Sequence, residues 1–197
     1  MDMKPLKGAT IVDAVELESA IASLVLAFDT DPVARWMYDD AHQYLLSVPR
    51  LFRALAVSSF DAKAAQRTSD GAGIAIWLPP SVHGDDGQLE TVITESIQRA
   101  KQAEVAGVFE QTEQYRPAVP HWYLSLIGVE ALHRNKGYGA ALLEHGLRRC
   151  DREHLPAYLW SSNPLNISLY ERHDFHIVST IQIGSSPPIF PMLRHAR

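Results

Sequence analysis

Apolar and polar positions alternate and then merge into an apolar run over residues 121–129, HWYLSLIGV, the pattern of a largely buried strand. A polar turn, Glu130 to Lys136, follows. From Gly137-Tyr138-Gly139 onward the period becomes helical: Ala140, Leu143, Leu147 and Cys150 fall on one face. A strand that feeds a basic, glycine-bearing turn into a helix is a device for holding an anion. The first helical turn has unpaired N–H groups and the positive end of the helix dipole. Glycine lets the backbone approach an anionic oxygen closely, and Arg134 and Lys136 add charge at the rim.

The pattern elsewhere predicts a mixed chain. Ala9 to Val12 reads as a short strand. Asp13 and Glu16 form a capping box for an amphipathic helix through Leu17, Ile21, Leu24, Val25 and Phe28, which ends at Asp29-Thr30-Asp31-Pro32. A second helical region spans Val33 to Phe60, with two helices or a kink expected at Pro49. Strands Ala64 to Thr68 and Ala72 to Leu78 flank the turn Ser69-Asp70-Gly71. After a loop over Gly84 to Gly87, Leu89 to Tyr115 is helical, with a break expected near Gly107. Ala157 to Trp160 is a strand, Pro164 to Arg172 a helix, and Phe175 to Ile183 with Ile189 to Leu193 a final strand pair. The order β, α, α, β, β, α, β, α, β, α, β, β predicts an α/β (α+β) domain, and no linker divides residues 1–197.

Composition narrows the function. The 197 residues are 46% hydrophobic and 21% charged, ordinary for a globular protein. A net charge of −5 argues against a nucleic-acid partner. A single cysteine rules out an internal disulfide framework, and Cys150, on an apolar helical stripe, reads as core. No apolar run reaches the roughly 18 residues of a membrane span. The N-terminus lacks a signal-peptide core, so the expected address is the cytoplasm. The histidines lack a metal-binding spacing, so no metal is expected.

The turn Arg134-Asn135-Lys136-Gly137-Tyr138-Gly139-Ala140 resembles the Q/R-x-x-G-x-G/A signature of the Gcn5-related N-acetyltransferases, the GNAT family. A second stretch is similar to the family pattern in which an Asn precedes a helix and a Tyr follows seven residues later: Asn163 and Tyr170. The resemblance implies the GNAT fold, with a mainly antiparallel central sheet splayed at its middle strand. It implies that backbone groups of Ile127, Gly128 and Val129 align the thioester of acetyl-CoA. Residues Arg134 to Ala140 would hold its pyrophosphate, and Asn163 and Asn166 its pantetheine arm. Tyr170 would protonate the departing thiolate, a chemically sound role for a positioned phenol.

Within the family, the chain resembles the puromycin N-acetyltransferase-like branch through Phe28-x-x-Asp31-Pro32, Ala75-x-Trp77, Ala157-x-Leu159 and Tyr170-Glu171-Arg172. That resemblance implies a small-molecule amine as acceptor, taken up by a monomer or homodimer. Two positions depart from the pattern. Trp160 stands where a Glu is expected, and suits a wall for an apolar or aromatic substrate. Asp174 replaces a Gly, and tolerates a positive φ better than most residues. No general base stands out among Glu130, His121 and His133, with Asp29 and Asp31 as outsiders. His121, Tyr123 and Ser125 share a strand face if no bulge intervenes. The rival readings are a non-catalytic acyl-CoA-binding module and a protein N-acetyltransferase.

Overall fold

Seven short segments with buried, β-rich sequences join into one sheet. In the computed structural model, which describes residues 10–13 and 15–197, these are β1 (Ile11–Val12), β2 (Ala65–Thr68), β3 (Gly73–Leu78), β4 (Trp122–Val129), β5 (Ala157–Ser161), β6 (His176–Ile177) and β7 (Phe190–Arg194). Their order is β1-β2-β3-β4-β5-β7-β6. Every neighbouring pair is antiparallel except β4 and β5, which are parallel. All six residues of β3 are buried, because helices cover both faces of the sheet. On one face Ile74, Ile76 and Leu126 pack with α1 (Leu17–Ala27), α2 (Pro32–Met37), α3 (Ala41–Asp61), α4 (Asp86–Ser96) and α5 (Arg99–Gln114). On the other, Ala75, Trp77 and Leu124 pack with α6 (Tyr138–Arg152) and α7 (Ile167–Glu171). The expected mixed, mainly antiparallel sheet flanked by helices is therefore the one observed. Among the described residues no helix is long and apolar enough to cross a membrane.

Four local expectations are revised. Asp13 does not cap α1: Glu16 occupies that position without a side-chain bond, and the Asp13 carboxylate instead meets His145 of α6 at 3.1 Å. Ala9, the expected start of the first strand, lies outside the described residues. Pro49 does not divide the second helical region. It sits inside the 21-residue α3, and the carbonyl it leaves without a donor belongs to Leu45, 61% exposed on the solvent side. The division falls instead at Tyr38, which turns into the core. Asp40 then caps α3 through the Gln43 N–H at 2.9 Å.

Likewise Gly107 stays helical, and α4 begins at Asp86, inside the expected loop. The break comes at Ile97, which is extended and buries its side chain. The Gln102 amide there donates to the carbonyls of Thr94 and Ile97 at 2.9 and 3.0 Å, closing the end of α4. Finally, the expected strand from Phe175 to Ile183 pairs regularly only at His176 and Ile177, with one further bridge from Ile181 to Ile189. Pro187, Pro188 and Pro191 on the partner side have no N–H to continue the ladder.

Candidate active site

The parallel pair at the centre of the sheet is the shortest part of it for the length of its strands. β4 and β5 bond only through Trp122 with Ala157 and Tyr123 with Tyr158. Beyond that vertex β4 runs on to Val129 and β5 to Ser161 without pairing. A gap with unpaired backbone groups on both walls opens toward their C-terminal ends. The register with β3 shifts between Ile76 and Trp77, opposite Ser125. This bulge hands the faces over: the adjacent residues Ser125 and Leu126 both look toward α1 and α3, while Ile127 and Val129 look toward α6. Gly128 lies directly under α1, where a Cβ would come within 2.7 Å of the Ala27 Cβ. Only glycine lets that helix settle onto the strand.

The turn after β4 is built for exposure of its backbone. Glu130 N–H bonds to the Ala72 carbonyl, and a short 3-10 turn spans Ala131–His133. Arg134 does not stand free at the rim. Its guanidinium donates to the carbonyls of Val129 (3.2 Å) and Ala27 (2.7 Å), fastening the turn to β4 and to the end of α1. Asn135 (φ 59°) and Gly137 (φ 85°) are left-handed, and nothing lies within 4 Å of where a Gly137 Cβ would be. The first α6 bond runs from Ala141 N–H to Gly137 O. The N–H groups of Tyr138, Gly139 and Ala140 thus precede the helical ladder, at the positive end of a 15-residue helix. Lys136 is exposed beside them. The Tyr138 hydroxyl donates to Asp70 at 2.6 Å and its ring lies 5.3 Å from that of His133. Gly139 faces Leu169 of α7.

Across the gap, the end of β5 is shaped by its own hydroxyls and amide. Ser161 Oγ donates to the Asn163 carbonyl, and Asn163 Oδ1 accepts from Leu165 N–H at 3.0 Å, starting the 3-10 turn Pro164–Asn166. Asn166 is exposed at the start of α7. Tyr170, on α7, is only 4% exposed and meets the Phe175 ring edge-on at 6.1 Å. Its hydroxyl has no hydrogen-bond partner among the described residues, yet is not sealed from solvent. Burial pushes its pKa well above the ordinary phenol value, and the charge of Asp31 pushes it further.

Asp31 lies at the mouth of the same region, bonded to the residue that follows β5. It is 8% exposed in the connection between α1 and α2. Its Oδ1 accepts from the N–H groups of Val33 and Ala34, both at 3.0 Å, and its Oδ2 from the Ser162 hydroxyl at 2.5 Å. In the sequence it stands in Phe28-x-x-Asp31-Pro32, where it reads as a helix stop and, with Asp29, as an outlying candidate base. Asp29 is exposed, 3.9 Å from Arg134. Glu130 and His133 face each other at 3.8 Å on the turn.

His121 sits apart, beside Tyr123 in a cavity of about 310 Å³ lined also by His83, Glu113 and Arg116. Burial lowers its pKa despite the Val119 carbonyl 2.8 Å from Nδ1. Trp160 is half-buried, edge-on to Phe109 at 6.3 Å, and forms part of the wall between β5 and α5. Asp174 has φ 64°, the left-handed conformation that its replacement of glycine requires. Among the described residues no cluster of His, Cys, Asp or Glu converges as metal ligands do.

Known proteins share this fold. The family model described as "Acetyltransferase (GNAT) family" matches residues 84–175. An uncharacterised N-acetyltransferase of Schizosaccharomyces pombe is 27% identical over 184 residues, covering 85% of this chain and 74% of its own. A structure from Corynebacterium glutamicum, described as histone acetyltransferase HPA2 and related acetyltransferase, superposes with a TM-score of 0.70 at 23% identity, over 96% of this chain and 97% of that one. Arylalkylamine N-acetyltransferase 2 from Aedes aegypti does so with 0.64 at 12% identity, over 95% and 99%. The family model thus runs from α4 through β4, the turn before α6 and β5 to the end of α7, and the fold of these acetyltransferases is shared along the chain.

Proposed function

We propose that the protein is an N-acetyltransferase that moves an acetyl group from acetyl-CoA directly to a primary amine of a small molecule, with Tyr170 as general acid. The observation that carries this reading is the gap between β4 and β5, with the exposed N–H groups of α6 at its mouth and Tyr170 on its far side. Unpaired strand groups suit an arm that contains amides, and the open left-handed turn suits a pyrophosphate. In this reading acetyl-CoA supplies an activated thioester. The backbone of Ile127, Gly128 and Val129 aligns it; Asn135 to Ala140 hold the phosphates; Asn163 and Asn166 lie along the arm. Arg134 acts by fixing the turn. Tyr170, kept protonated by burial, donates to the leaving sulfur.

A small acceptor is favoured by the connection between β6 and β7. It is bonded down onto the acceptor side: Trp36 Nε1 donates to Ser185 Oγ, and Ser185 N–H and Oγ both donate to Glu104 of α5. The wall formed by Trp160 and Phe109, and the likeness to the puromycin N-acetyltransferase-like branch, point the same way.

A calorimetric titration with acetyl-CoA, with desulfo-CoA and ATP as controls, tests the reading. Saturable micromolar binding with little response to ATP is expected. Gly137→Glu should abolish it, since the new carboxylate would occupy the phosphate position. Tyr170→Phe should retain affinity and lose turnover by about 10²-fold or more. Thiol release at the parent rate would remove Tyr170 from the chemistry.

A further inference from the structure

The cavity at the start of β4 takes no part in the transfer described above. The gap between β4 and β5 opens toward the C-terminal ends of those strands, beyond the vertex at Trp122 and Tyr123. The cavity lies at the other end, where His121 precedes β4. Its remaining walls come from two segments far apart in sequence, the connection after β3 and the end of α5. The first contains a turn closed by Val82 N–H on the Pro79 carbonyl, with Ser81 at φ 64°. A left-handed serine is uncommon and carries a cost in strain. After this turn His83 meets the cavity from one side, while Glu113 and Arg116 line it from the other.

The charges there are unevenly placed. Glu113 and Arg116 pair at 3.0 Å, but the acid is the outer member: its side chain is 56% exposed and that of Arg116 only 16%. The guanidinium lies 4.0 Å over the Tyr123 ring, and this stacking fixes its plane. Of its five N–H donors, Nε has no hydrogen-bond partner among the described residues. A corner rich in donors thus meets the apolar walls of Pro79, Val82 and Pro117. At about 310 Å³ the cavity has the size that small ligands occupy. We infer that it binds a small organic carboxylate, whose acid group is held by Arg116, His83 and His121 and whose apolar body lies against the two prolines and Val82. A planar guanidinium matches the two oxygens of a carboxylate. A free phosphate would leave the apolar walls uncovered. The site is separate from the gap and stands whether or not the protein transfers acetyl groups.

The groups facing this corner set its response to pH. His83 lies in the connection after β3, Asp86 opens α4, and Glu113 and Arg116 stand at the end of α5. Tyr123 belongs to β4, and Tyr158 of β5 meets the His121 ring edge-on at 6.2 Å. Burial, and after it the charges of Arg116 and His83, lower the His121 pKa. A bound carboxylate opposes those charges and favours the protonated ring. Binding therefore takes up a proton, and affinity falls as pH rises from 5.5 to 8.

The probe is benzoate, titrated by calorimetry at pH 5.5 and pH 8 with benzyl alcohol and inorganic phosphate as controls, while NMR follows the histidine ring signals. Saturable binding with a Kd of about 1 mM or tighter is expected at pH 5.5, with weaker binding at pH 8 and of both controls. The ring signals that move should be those lost in His83→Gln and His121→Gln. Arg116→Gln should weaken benzoate by about 10-fold or more, the range of a charge-assisted bond. That variant also loses the pair with Glu113, so His83→Gln supplies a second reading. His83 is exposed and makes no hydrogen bond among the described residues, so its replacement leaves the packing alone; it should weaken benzoate by about 3-fold. Saturating acetyl-CoA should leave the benzoate Kd unchanged. Absence of saturation by about 50 mM, equal binding of benzyl alcohol, or parent-like affinity in both variants would overturn the assignment. Competition by acetyl-CoA would place benzoate in the gap, and phosphate bound as tightly as benzoate would make this a site for anions at large; either result overturns it too.

Discussion

The Tyr138 hydroxyl donates to Asp70 at 2.6 Å, tying the first residue of α6 to the hairpin turn between β2 and β3. Asp70 also accepts from Thr68 Oγ1 and Ala72 N–H, so the hairpin and the turn that opens α6 share one carboxylate. Tyr138→Phe and Asp70→Asn should each loosen the turn without touching the reacting atoms. We expect acetyl-CoA affinity to fall by about 3- to 10-fold, the range of one net hydrogen bond, with kcat little changed. Calorimetry beside steady-state kinetics checks it; a loss confined to kcat would show that Tyr138 acts elsewhere.

The same carboxylate sets an acid boundary. Bonds from Thr68 and Tyr138 hold the Asp70 pKa at about 2, against an ordinary value of 3.8. A group depressed in the folded state stabilises it above the unfolded pKa and loses that contribution as pH falls through the folded one. Melting temperature should therefore fall between pH 4 and pH 2, and Asp70→Asn should flatten that part of the curve.

At the alkaline end the sign reverses. Tyr44, Tyr158 and Tyr170 are buried and hold their protons past the ordinary phenol value of 10.0. Their contribution is present below pH 10 and is lost as pH rises above it. Ultraviolet titration should show these phenols ionising late, together with unfolding; free titration of all tyrosines near pH 10 in the folded protein would contradict the packing.

Cys150 is fully buried on the inner face of α6, and burial pushes its pKa up to about 12. Thiolate is the reactive form. Iodoacetamide at pH 8 should leave the native protein unmodified and label it only after denaturation, as mass spectrometry can read directly.

Arg194 of β7 is 3% exposed and pairs with Asp151 of α6 at 2.8 Å. Removing one partner of a buried pair leaves a charge without compensation. Asp151→Ala should cost about 2–3 kcal/mol, less than a fully buried pair because Asp151 itself is 36% exposed. Chemical denaturation measures it; a change under 0.5 kcal/mol would mean that solvent reaches Arg194.

What the sequence made legible follows from how local each signal was. The strand, turn and helix from His121 to Cys150 announce themselves by a change of period, and Asp174 by taking a glycine's place. Pro49 misleads because its effect depends on which carbonyl loses a donor, and that one faces solvent. Asp13 misleads because a partner 132 residues away, His145, competes for its carboxylate. Asp31 stayed in the background for the same reason: its neighbour Ser162 lies 131 residues distant, and only the closed fold brings them together. Arg134 was placed at the turn correctly, but its bonds to Val129 and Ala27 depend on how α1 settles on Gly128.

Strands that stop pairing in the middle of a sheet usually invite another strand, with aggregation as the hazard. Here the two bare edges face each other inside the molecule, with helices over both faces of the sheet. A neighbouring protein's edge cannot reach them broadside. Only something slender, entering end-on and carrying its own amide donors and acceptors, can complete the ladder. The fold thereby screens its ligands by shape before any side chain takes part, and keeps its most adhesive surface out of reach of other copies of itself.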